Sequence, residues 1–195
     1  VLASIYIMHR LQSLRCYLAG PIDNAPDDGV GWRLALYPLL QELGCTILDP
    51  CDKPIKEAKY REIDDEKQAM MALKSNGRFL ELAQRMKPIV HYDLRMVDIS
   101  DLVIAYLHPE VPVFGTVHEI VNSLNQRKPT LVVVEGGKEN APNWLFGIMD
   151  YHFIFDSFEK LSLYLRQLDD GTIAGDLSRW VFFDSDLYDS PDEEE

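Results

Sequence analysis

Two runs constrain this chain more than any other feature. Leu102–Leu107 (LVIAYL) and Thr130–Val134 (TLVVV) have strand length and are almost wholly apolar. A strand with one wet face alternates apolar and polar residues, whereas a run without alternation is buried on both faces, as in a parallel sheet covered by helices. Three further runs have strand length: Arg15–Ala19 (RCYLA), Thr46–Asp49 (TILD) and His152–Phe155 (HFIF). Helical patterns separate them. Trp32, Leu36, Leu39, Leu40 and Leu43 share one face before Gly44, a C-terminal stop. Pro38 within that pattern either kinks the helix or marks its start. Val117, Ile120, Val121 and Leu124 form a second face, and Phe158, Leu161, Leu165 and Leu168 a third. Strands alternating with helices predict a doubly wound α/β domain, and five strands predict the flavodoxin-like order 2-1-3-4-5 with right-handed crossovers.

One crossover is too long for a simple connection. Residues 53–90 are charged and helix-prone, with Gly77 as a break, and predict two helices inserted between the second and third strands. They are expected either to cover the sheet edge as a solvated excursion or to form a lid or subunit contact through Met70, Met71, Phe79, Leu80 and Met86. At 195 residues the chain is expected to hold one domain, 15–183, behind an N-terminal extension, 1–14. With 47% apolar and 26% charged residues it has the composition of a folded protein.

Charge then narrows the partners. Seven of the thirteen net negative charges lie in residues 184–195, an acidic tail expected to be disordered, and the rest of the chain still carries an excess of six. Binding to a nucleic acid polymer is disfavoured, since that affinity rests on Lys and Arg, while a small nucleoside or nucleotide is compatible. No apolar run reaches the ~20 residues of a membrane span. The first residues are too briefly apolar for a secretory signal. With three cysteines (Cys16, Cys45, Cys51) and no CxxC pair, the expectation is a cytoplasmic, reducing location.

In an open α/β sheet, ligands bind beyond the carboxyl ends of the strands. Gly20-Pro21 follows the first strand, Asp49 the second, and Gly115-Thr116-Val117-His118-Glu119 the loop after the third; Asp93 precedes the third. Asp49, Asp93 and Glu119 therefore converge on one edge. Glu119 is expected at the third position of its helix. There it either completes a capping box with Thr116 or presents an ionised carboxylate, competent as a nucleophile, to a ligand. Gly115 would let that ligand approach the backbone. Asp93 either caps a short turn over 94–99 or faces the site, and Tyr17 either packs in the core or serves at a strand end. His118-Glu119 lacks the second histidine of a zinc motif, and no phosphate loop, GxGxxG or GxSxG is present.

Taken together, Tyr17-Leu18-Ala19-Gly20-Pro21, Asp93 leading into Ile99-Ser100-Asp101, Gly115-Thr116-x-x-Glu119-Ile120, Asn143-Trp144-Leu145-Phe146 and Phe158-Glu159-Lys160-Leu161 resemble the nucleoside 2-deoxyribosyltransferase family. The resemblance runs from about Arg15 to Leu168, excluding much of 53–90. It implies that a glutamate, here Glu119, attacks C1′ of a 2′-deoxynucleoside, and that a second base captures the sugar with retention. It also implies that Tyr17 positions the nucleophile, that Asp93 lies near base and sugar, and that Asn143 is lent to a neighbouring subunit's site in a homo-oligomer. Gly20, Pro21, Asp49, Gly115 and Thr116 would line the substrate site, with no metal or cofactor. The acid that many members carry six residues before the nucleophile is replaced by Val113. The chain also runs past the family's usual end, where a terminal carboxylate reaches a neighbour's site; Tyr188 could make such a contact. Two alternatives stand beside this one: a 2′-deoxynucleoside 5′-phosphate N-hydrolase, with Arg33 or Arg95 on the phosphate, and a non-catalytic nucleotide-binding module.

Overall fold

The computed structural model describes residues 9–54, 57–60, 63–173 and 180. The acidic tail lies outside them. Five strands, β1 (Arg15–Ala19), β2 (Thr46–Leu48), β3 (Leu102–Leu107), β4 (Thr130–Val134) and β5 (Ile154–Phe155), form one parallel sheet in the order β2-β1-β3-β4-β5. This is the flavodoxin-like order expected from the run spacing. β4 is buried throughout, as a strand covered on both faces must be. Two strands are shorter than their apolar runs: Asp49 leaves β2 to cap a 3₁₀ turn at Pro50–Asp52, and a 3₁₀ turn at Tyr151–Phe153 precedes β5.

Six helices complete the described fold: α1 (Val30–Glu42), α2 (Asp64–Ser75), α3 (Phe79–Ile99), α4 (Phe114–Asn125), α5 (Asn143–Ile148) and α6 (Phe158–Asp169). Helices α1 and α6 share one face, where Trp32 and Phe158 stack at 5.6 Å, while α3 and α4 pack together on the other. α1 continues through Pro38, which lies on its exposed side. Its first turn depends on Gly29, whose φ of +69° and closeness to the Pro21 carbonyl (2.0 Å from any Cβ) exclude other residues.

Three expectations are corrected. The excursion after β2 holds two helices broken at Gly77, but the second does not end near residue 90. α3 runs 21 residues through Pro88 to Ile99, because Ile89, Asp93, Met96 and Val97 form one continuous buried stripe. Asp93 is thus a mid-helix residue and caps no turn. α4 begins at Phe114, two residues early, so Glu119 lies in its second turn and makes no capping box; Val113 at the cap position supplies no side-chain hydrogen bond. Finally, α4 turns Thr116, Ile120 and Ser123 inward. Thr116 and Ser123 are small enough to allow close packing, and Ser123 and Thr130 share a buried 2.8 Å hydrogen bond. Val117 and Val121 are left 46% and 36% exposed.

Candidate active site

The order β2-β1-β3 creates a switch point: the chain leaves β1 toward one side and returns in β3 on the other, so the loops after β1 and β3 diverge and open a crevice. A cleft of about 380 Å³ lies there. Gly20 and Pro21 form one wall; Met86, Ile89, Val90, Asp93 and Leu94 of α3 form another; Gly115, Thr116, His118 and Glu119 of α4 close the third.

Tyr17 stands on β1 beneath this cleft, fully buried, and its hydroxyl donates to Glu119 Oε1 at 2.6 Å. Burial, and then the nearby carboxylates of Glu119 and Asp93, push the Tyr17 hydroxyl well above its usual range, so it remains a donor. The strand therefore holds one oxygen of Glu119 in place through this bond. Asp93 faces the same cleft from α3, and Lys53 Nζ lies 2.7 Å from its Oδ1. Lys53 is buried, donates to the Tyr60 carbonyl at 2.9 Å, and lies over the Tyr92 ring.

The other predicted residues divide. Gly20, Pro21, Gly115 and Thr116 line the cleft. Nothing lies within 4 Å of a Cβ at Gly115, so this glycine faces open space. Asp49 does not line the cleft. Its carboxylate accepts from the Tyr37 hydroxyl at 2.8 Å and from Cys51 N at 2.7 Å, and lies 3.5 Å from Arg33. Asn143 opens α5 on the exposed surface, away from this cleft.

Two residues prove central in roles that sequence patterns did not give them. Arg33 is wholly buried, stacks on Trp32, and donates to the carbonyls of Leu18 (3.3 Å), Gly20 (2.9 Å) and Gly29 (2.6 Å). It binds the loop after β1 by its main chain and leaves no group for a phosphate. Arg95 is exposed and outside the cleft lining. The second is Lys53. Its only local signal is a lysine just beyond the strand-end Asp-Pro, which carries no period.

The described cleft lining is acidic, with Asp23, Asp93 and Glu119 and no Arg or Lys. Among the described residues no group of His, Cys, Asp and Glu is arranged to hold a metal ion, and no helix is long and apolar enough to cross a membrane. No family model matches the sequence, and no curated protein does. Among solved structures, a 2-deoxyribosyltransferase from the psychrotolerant bacterium Bacillus psychrosaccharolyticus is 16% identical with a TM-score of 0.49, over 76% of this chain and 90% of that one. A CMP N-glycosidase of Clostridium botulinum is 20% identical with a TM-score of 0.42, over 80% of this chain and 97% of that one.

Proposed function

We propose that this protein is an N-deoxyribosyltransferase that moves 2-deoxyribose between nucleobases through a covalent bond to Glu119. The observation that carries this is the 2.6 Å hydrogen bond from buried Tyr17 to Glu119 at the mouth of the switch-point cleft. Cleavage of an N-glycosidic bond passes through an oxocarbenium-like state, which a fixed carboxylate stabilises and then traps. A Glu119 oxygen bonds to C1′, and the C1′–N bond breaks with its electron pair passing to the base, which takes a proton from water onto a ring nitrogen as it leaves. A ring nitrogen of the incoming base then bonds to C1′ and returns its proton to water, and the Glu119 carboxylate departs. Two inversions give retention. Water in place of the second base would give hydrolysis.

The free nucleoside is favoured over its 5′-phosphate by charge. A phosphate would enter an acidic cleft whose described lining offers no Arg or Lys, with Arg33 committed to carbonyls and Lys53 to Asp93. A homo-oligomer with shared sites is supported by the apolar line that leaves the cleft mouth along α4: Phe114, 90% exposed, then Val117 and Val121. Water-exposed apolar stripes of this kind mark contact surfaces. A second copy seated there would bring its own residues to the rim, and Asn143 is the one assigned to that role.

The test is chromatographic: thymidine, deoxyadenosine and dAMP are each incubated with and without free adenine. New deoxyadenosine from thymidine plus adenine is expected. Release of base from dAMP alone, with no transfer product in any mixture, would replace this function with the phosphate hydrolase.

A further inference from the structure

Two carboxylates that share a cleft resist being ionised together, and the usual outcome is that one keeps its proton. Glu119 and Asp93 line one cleft, and the charges of both act on the Tyr17 hydroxyl, which bonds Glu119 at 2.6 Å. The protein places a third charge against this tendency. Lys53 is a buried ammonium, and a buried ammonium persists only with a partner. Its partner is Asp93 Oδ1 at 2.7 Å, and the Tyr60 carbonyl at 2.9 Å and the Tyr92 ring at 5.7 Å hold it in place. Tyr60 and Tyr92 also pack against each other at 5.5 Å, so the cage around the ammonium is braced from the 3₁₀ turn at Ala58–Tyr60 to α3.

We propose that Lys53 is a positioning residue that holds Asp93 as a pure hydrogen-bond acceptor, and that the site thereby selects nucleobases bearing an exocyclic amino group over their oxo counterparts. This rests on the glycosyl-transfer function above and on the place beside the base that the family resemblance gives Asp93, with C1′ meeting Glu119. A neutral carboxylic acid can turn either a donor or an acceptor toward a base, so it meets an amino or an oxo group equally well. An ionised carboxylate has only lone pairs to offer. An amino group donates to it. An oxo group sets lone pair against lone pair at a carboxylate that is itself buried, which is the larger penalty. Lys53 therefore converts an ambivalent contact into one of fixed polarity. Adenine and cytosine carry the matching donor; hypoxanthine and uracil carry the oxo group in its place.

Four substrates test this: deoxyadenosine against deoxyinosine, and deoxycytidine against deoxyuridine, with kcat/KM for each. The amino member of each pair is expected to be favoured roughly tenfold or more, the effect of one buried hydrogen bond to a charged group. In Lys53→Met the Asp93 carboxyl takes up a proton, and in Asp93→Asn an amide presents its own donor. In both variants the amino preference is expected to fall toward one or to invert. A purely structural role would slow all four substrates alike. Wild-type protein without an amino preference overturns the proposal, as does a folded Lys53→Met that keeps the wild-type ratio. If Lys53→Met does not fold, Asp93→Asn decides in its place by the same ratio. Equilibrium dialysis with free adenine and hypoxanthine repeats the comparison without turnover. Protein that prefers adenine in dialysis yet turns over none of the four nucleosides retains the role of Lys53 and removes glycosyl transfer.

Discussion

Tyr17→Phe isolates the bond on which the proposed chemistry rests. The substitution removes one oxygen and keeps the ring, which is wholly buried in β1 beside the strand pair with β3. What is lost is a 2.6 Å O–H···O bond from a buried donor to a half-buried carboxylate. Hydrogen bonds to charged groups contribute about 1.5–3 kcal/mol. If that interaction holds Glu119 in its attacking orientation, the loss falls on the transition state, and kcat should drop roughly 10- to 150-fold at ~1.4 kcal/mol per factor of ten. Substrate binding uses the cleft walls on α3 and α4, so KM should move by less than about threefold. Stability should suffer less than catalysis, because Glu119 can turn toward water. A loss of ~1 kcal/mol would lower the melting temperature by about 2–4 °C in a chain of this size. The assay is initial rate against deoxyadenosine concentration with excess acceptor base, beside a thermal melt. An unchanged kcat with a lowered melt would reduce Tyr17 to a packing residue and refute the positioning role.

Other outcomes follow from neighbouring features. Glu119→Ala should abolish turnover and lower the melt by at least the ~2–4 °C expected for Tyr17→Phe, since it leaves the buried Tyr17 hydroxyl without its acceptor; a folded, fully active variant would remove the covalent mechanism. If Asn143 serves a neighbour's site, mixing inactive Glu119→Ala with inactive Asn143→Ala should restore part of the activity once subunits exchange, and strictly monomeric active protein in light scattering would contradict this. Asp101 accepts from Arg15 N at 2.7 Å and from its guanidinium at 2.9 and 3.0 Å, and that guanidinium holds the Asp101 carboxyl below its usual range. This contribution is present above the unfolded value of about 3.9 and is lost as pH falls through the lower folded value, so Asp101→Asn should cost ~1 kcal/mol at pH 7 in urea titration and progressively less below pH 4. Burial pushes the Cys45 thiol up to about 12 and Cys16 well above its usual range. At pH 8 about one Cys45 in ten thousand is thiolate, so a thiol reagent should leave Cys16 and Cys45 unmodified in native protein and reach them on denaturation.

The sheet was legible because its strands are defined by what they lack. Leu102–Leu107 and Thr130–Val134 offer no polar face, and that alone requires helices on both sides. Boundaries were less legible where two local signals competed. Thr116-x-x-Glu119 has the spacing of a capping box, yet α4 starts at Phe114, and the Glu119 carboxylate bonds instead to the Tyr17 hydroxyl across 102 residues of sequence. The sequence bounds the insertion at residue 90 and allows a separate turn over 94–99, but the buried stripe from Ile89 to Val97 makes one helix of both and outweighs the backbone hydrogen bond missing at Pro88. Gly20 and Pro21 could be placed at the cleft from strand order, since they follow β1 directly, and Glu119 from the loop after β3; Asp49 follows β2 in the same way yet lies outside the cleft, and Asp93 reaches it from the middle of α3. Lys53 could not be placed in this way, and Arg33 offered itself only as a phosphate candidate. Each is a cation whose position is set by partners distant in sequence and close in space, and neither leaves a period in the sequence.

The way Arg33 holds the loop after β1 has a practical side. Its contacts to Leu18, Gly20 and Gly29 are all to main-chain oxygens, so the path of the loop is indifferent to the side chains it carries between its anchors. Ile22 and Ala25 are buried, and Asp27 caps the following helix, but Asp23 and Asn24 are exposed at the rim of the cleft. These two positions form a ready-made cassette: a library randomised at 23 and 24 would vary the chemistry at the substrate's edge while the frame behind it stayed in place.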